Sequence, residues 1–96
     1  MKVYSLICTA TGISNTYGTN VETTQLGVFQ TKESALKQLR WMIRYYKDAR
    51  YFINYNQEED MDENGNERIW QQMDRDEENG WRERVDLIIT EIRLRK

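Results

Sequence analysis

The sequence predicts an α+β domain: a mostly antiparallel sheet of about five strands, in the order β-β-α-β-β-β, with one amphipathic helix packed on one face. Three observations predict it. The apolar period lengthens to about 3.6 residues at Thr31 and shortens again at "ARYFINY". Two Asn-Gly steps, Asn64-Gly65 and Asn79-Gly80, punctuate the second half as hairpin turns do. The 96 residues contain no proline, repeat or linker, so residues 1–96 form a single domain.

Each element has a local reason. "KVYSLICT", residues 2 to 9, is rich in β-branched and aromatic residues and predicts the first strand. The uncharged "ATGISNTYGTN" that follows predicts a loop. Residues 21 to 29, "VETTQLGVF", predict a second strand, antiparallel to the first because the connection is too short for a helical crossover. Thr31 is a good N-cap, and Glu33 places a negative charge in the first turn, where it suits the helix dipole. At about 100° per residue, Ala35, Leu36, Leu39, Met42, Ile43, Tyr46 and Ala49 share one arc, which predicts the side that packs on the sheet. Lys37, Arg40, Arg44 and Lys47 form a neighbouring stripe, and Trp41 and Tyr45 lie roughly opposite the apolar arc. "ARYFINY" then starts a third strand, Asn64-Gly65 reverses the chain, and "NERIWQQM" forms a fourth. The closing "WRERVDLIITEIRLR" has apolar residues on both faces around Leu87 to Ile89, which predicts a central strand.

Composition excludes several chemistries. There is no histidine, the commonest general base and metal ligand. Cys8 is alone, so no intrachain disulfide and no all-cysteine zinc site forms, and its place in "VYSLIC" predicts a buried thiol in a reducing compartment. No Gly-rich loop follows a strand in phosphate-binding form. No apolar stretch reaches the roughly 20 residues that span a bilayer, and "MKVYSLICTATG" reads as a strand rather than a signal peptide. The expectation is a cytoplasmic, non-enzymatic protein without a cofactor.

The net charge of -2 hides a segregation. Residues 32 to 50 carry six bases and two acids, whereas residues 51 to 80 carry ten acids and two arginines. Such poles steer partners more than they stabilise folds. Within the acidic run, "DMDENGNERIWQ" matches the first seven positions of a calcium-binding EF-hand loop through Asp60, Asp62, Asn64, Gly65 and Asn66. It departs at position eight, Glu67, and at position twelve, Gln71 in place of a bidentate Glu, so a hairpin turn is the better reading and no metal is expected. The same carboxylates, Glu58, Glu59, Asp60, Asp62, Glu63, Asp74, Asp76, Glu77 and Glu78, are dense enough to imitate a row of phosphates, with Trp70 and Met73 interleaved as anchors for a protein partner. The plain alternative is an edge hairpin kept soluble by charge.

The helix offers the opposite surface. Its basic stripe beside Trp41 and Tyr45 has the composition to bind phosphates while a ring stacks on a base, although the acidic pole opposes direct nucleic-acid binding. A tryptophan off the core arc also marks protein interfaces. The neutral "TATGISNTYGTN" has hydroxyls and glycines suited to a small ligand or to a flexible connection.

"KVYSLI", "LGVFQTKESALKQL" and "LIITEIRL" together resemble the strand, strand-turn-helix and last strand of short α+β proteins from bacteria and their phages. The resemblance covers roughly the first 40 residues and the last ten, and it implies no active site. In size and charge segregation the chain is similar in style to phage-encoded inhibitors of host defence, anti-CRISPR proteins among them. That similarity implies a non-enzymatic inhibitor whose acidic hairpin occupies a basic, nucleic-acid-binding surface on a protein partner. The readings from other classes are a small nucleic-acid-binding module and a small-ligand domain.

Overall fold

The computed structural model describes residues 1–14, 18–76 and 80–94. The elements run β1 (Lys2–Ser14), β2 (Gly18–Phe29), α1 (Lys32–Asp48), β3 (Phe52–Met61), β4 (Glu67–Asp76) and β5 (Trp81–Arg93). They form one antiparallel sheet in the order β2-β1-β5-β4-β3, with α1 on one face. The α+β class, the element order and the central place of the last strand are those the sequence predicts. No helix among the described residues is long and apolar enough to cross a membrane.

Thr31 caps α1 as its residue type suggests, its side-chain oxygen accepting from the Ser34 N–H at 3.1 Å. Ala35, Leu39 and Ile43 are buried, and Leu36, Met42 and Tyr46 pack partly against the same core. The helix ends in a Schellman closure: the Arg50 N–H bonds the Lys47 carbonyl at 3.0 Å, and the Tyr51 N–H bonds the Tyr46 carbonyl at 2.9 Å. Arg50 adopts φ 69° to make that turn, the left-handed position that glycine usually fills. The rings of Tyr46 and Tyr51 close the motif edge to face, 5.0 Å apart.

Facing the helix, the sheet contributes Leu6, Cys8, Ile69, Met73, Val85, Leu87 and Ile89. Alternation then turns Ile7, Ile88 and Trp70 to the opposite face, where they are only half-buried beside the charged Asp86 and Arg84. Central position in the sheet therefore does not mean equal burial on both faces of β5.

The predicted loop of residues 10–20 is a correction. Residues 10–14 continue β1 and residues 18–20 begin β2, while 15–17 lie outside the described residues. The strand continues because β5 continues beside it, pairing Gly12 with Glu83 and Ser14 with Trp81. The Trp81 ring lies over Gly12 so closely that a Cβ there would meet it at 2.8 Å. The small-ligand loop is thus mostly ladder.

A candidate interface on the helix and the acidic hairpin

The acidic run occupies two strands and a turn, and its geometry divides the carboxylates into different roles. At the tip, Asp62 organises the reversal: its Oδ1 accepts from the N–H groups of Asn64 and Asn66, each at 2.9 Å, and its Oδ2 accepts from the Asn66 side-chain amide at 3.2 Å. Those donors, the Asn66 N–H first, hold the Asp62 carboxyl below its usual range. Gly65, at φ 76°, supplies the left-handed step. Asp60 is gripped by both ends of the Arg68 guanidinium, whose Nε donates to its Oδ1 at 2.9 Å. Both acids of the EF-hand-like pattern are therefore already engaged within the hairpin. Among the described residues no cluster of three or more metal-ligating side chains forms.

Cross-strand register neutralises much of the remainder. Asp74 lies opposite Arg84, which donates to it at 2.8 and 3.3 Å, and Arg82 donates to Asp76 at 2.9 Å. Lys32, at the start of α1, bonds Glu67 at 3.3 Å and stands 3.9 Å from Glu59. Glu58 and Glu63 have no ion pair among the described residues. The two ends of β4 are separated by nine residue steps, roughly 30 Å of strand, so Asp74 and Asp76 are far from the tip acids. Glu77 and Glu78 lie outside the described residues. Among the described residues of the run, the carboxylates with neither an ion pair nor, like Asp62, hydrogen bonds within the turn are Glu58 and Glu63, along one edge and the tip, with Glu59 held only by Lys32 at 3.9 Å.

The two proposed anchors separate as well. Met73 is in the core, a correction that follows from alternation: Ile69, Gln71 and Met73 all point toward the helix. Trp70 is on the helix-free face, half-buried and held in place. Its ring stacks on Tyr55 at 4.7 Å, and its Nε1 donates to Asp86 at 2.8 Å, an oxygen that also accepts from Gln72.

Trp41 and Tyr45 remain open. They are 58% and 55% exposed and stack on one another, ring centroids 5.9 Å apart and nearly parallel. Helical geometry puts Lys37 and Arg44 on the same outward side, with Arg40 and Lys47 on the adjoining flank. None of these four cations has an ion pair among the described residues. A surface depression of about 520 Å³ beside Trp41 is lined by Phe29, Lys37, Arg40 and Arg44. The helix therefore brings exposed aromatic area and unspent positive charge together.

Several polar side chains that no local sequence signal singles out tie the strands together. Gln71 is fully buried and clamps a distortion in β3: Gln57, at φ 48°, donates its N–H to the Gln71 side-chain oxygen at 3.1 Å, while the Gln71 amide donates to the Tyr55 carbonyl at 2.8 Å. Arg75 bonds the Ala49 carbonyl at 3.0 Å, stacks over the Tyr51 ring at 4.7 Å and pairs with Glu83. Tyr51 donates to the same Glu83 carboxylate, which together with Trp81 and Arg75 holds that carboxyl below its usual range. Glu91 is buried beside Lys2 and Arg93, and the Glu67 N–H is the chief cause of its lowered pKa. Burial pushes the Cys8 thiol up, away from the thiolate that nucleophilic chemistry requires. No family model, curated protein or solved structure matches this chain.

Proposed function

We propose that the chain is a non-enzymatic binding protein that docks on another protein through the outer face of α1. The observation that carries this reading is the exposed Trp41–Tyr45 stack beside Lys37, Arg40 and Arg44, which have no ion pair among the described residues. Trp, Tyr and Arg are the residue types that concentrate binding energy at protein interfaces, and here all three share one rigid helix face. The fold does not need the two rings for its core, because Ala35, Leu39 and Ile43 fill that role from the opposite arc.

The narrower form of the reading is an inhibitor of the phage anti-defence style. Glu58, Glu59 and Glu63 would attract a basic surface at long range and occupy it in place of nucleic acid. Their support is exposure, with no ion pair on Glu58 or Glu63 among the described residues and only the 3.9 Å approach of Lys32 on Glu59; Asp60, Asp74 and Asp76 contribute less because arginines already hold them. The second reading, direct binding of single-stranded nucleic acid, is favoured by the same aromatic pair beside cations.

Two experiments separate these readings. Trp41→Ala should change folding stability by under about 1 kcal/mol and weaken the protein partner by about 2 kcal/mol. A loss of about 3 kcal/mol in stability would place Trp41 in the core and end the interface reading. Short DNA and RNA oligomers titrated at low salt should leave the emission of wild type and Trp41→Phe alike. Quenching confined to the wild type would favour the nucleic-acid reading.

A further inference from the structure

Strand β2 is an edge strand, and its residues 18–25 are all exposed. An edge strand carries a row of outward N–H and C=O groups that are ready to pair with another chain. Natural sheets blunt such edges with lysine, proline, clustered charge or distortion. Along "GTNVETTQLGVF" the only charge is Glu22, there is no proline or lysine, and the single irregularity in pairing lies beyond the exposed part, where Leu6/Ile7 meet Gly27/Gln25. Val21 and the three threonines of this segment favour the extended backbone that pairing requires.

The opposite edge shows what protection looks like in the same molecule. β3 carries Glu58, Glu59 and Asp60 and two irregularities in its pairing with β4. A neutral, regular, β-prone edge therefore stands at one side of a sheet whose other edge is blunted twice over.

We propose that β2 pairs antiparallel with β2 of a second copy of this chain, joining two five-stranded sheets into one of ten strands. The occupant is a second copy because the strand is compatible with itself. A two-fold axis normal to the sheet, centred on Thr23, sets Glu22 against Thr24 and Val21 against Gln25, so the two Glu22 carboxylates do not meet head on. Only a register centred on Glu22 itself would oppose them. The same axis leaves both helices on one side of the extended sheet, so two Trp41 faces are presented together. The charge-bearing surfaces, the outer face of α1 and the β3 edge, both stay outside the new seam. Closure about the two-fold consumes both β2 edges and leaves only the blunted β3 edges outside, so the assembly stops at two.

Sedimentation velocity over a wide concentration range, with circular dichroism as the check on folding, tests this. The wild type should pass from monomer to dimer, and Val21→Lys combined with Thr24→Lys should keep its fold while weakening the dimer by on the order of tenfold or more. Trp41→Ala should dimerise as the wild type does. If the lysine variant loses its fold, Thr23→Lys alone replaces it with the same expectation. A wild type that stays monomeric throughout, a dimer broken by Trp41→Ala but indifferent to lysines in β2, or growth into open-ended assemblies would each overturn the proposal.

Discussion

Strand β3 meets water behind Glu58, Glu59 and Asp60, with its backbone bent twice away from regular pairing, whereas β2 meets water along residues 18–25 with Glu22 as its only charge. Both are the outer strands of one sheet, and each pairs antiparallel with its neighbour in sequence. The difference teaches that charge in this chain is placed by structural role. The β3 distortion needs a buried polar clamp, Gln71, and the carboxylates beside it keep strangers away. β2 has neither device, which leaves its hydrogen-bonding groups available.

The largest effect should come from removing the clamp. Gln71→Met keeps volume but strands the Gln57 N–H and the Tyr55 carbonyl, and should cost about 3 kcal/mol in denaturant unfolding. If the distortion relaxes into a regular strand instead, the loss will be small and β3 will begin to self-associate, which would erase the contrast between the edges. Acid should act next. Glu83 and Glu91 have folded pKa values below their unfolded value of about 4.3, so the stability they contribute is present above that value and lost as pH falls through the lower folded one. Because Glu83 holds Arg75 and Tyr51, and Glu91 holds the Glu67 N–H, acid should loosen the β3–β4 side of the sheet before β1–β2. Unfolding midpoints at neutral pH and near pH 3, together with amide exchange by strand, measure this; equal loosening of both sides would contradict it. The smallest effect on stability should be that of Glu58→Gln with Glu59→Gln, within about 0.5 kcal/mol. Its consequence lies elsewhere: solubility should drop as the β3 edge loses its repulsion, and association with a basic partner should slow and lose part of its salt dependence.

Much of the fold was legible because its signals are local. The Thr31 cap, the apolar arc from Ala35 to Tyr46, the Asn64-Gly65 reversal and the apolar centre of the last strand each announce themselves within a few residues. What escaped depends on pairing across distance. Residues 10–14 look like a loop until β5 supplies their ladder, and Met73 looks like a surface anchor until alternation with Ile69 turns it inward. Gln71 resembles any polar strand residue, since its reason for burial is a distortion at Gln57 on another strand. The acidic run was legible as composition, but which carboxylates stay unspent depends on the register that brings Arg68, Arg82 and Arg84 opposite them. The exposure of Trp41 and Tyr45 follows directly from helical phase, and for that reason this part of the candidate interface was read most completely.

The contrast between the two edges is tested most directly by amide hydrogen exchange, read residue by residue along β2 and β3 at low and high protein concentration. Protection of residues 19–25 should rise with concentration, while residues 52–61 should exchange at the same rate at both. Unchanged exchange along β2, or protection rising along β3 instead, would contradict it.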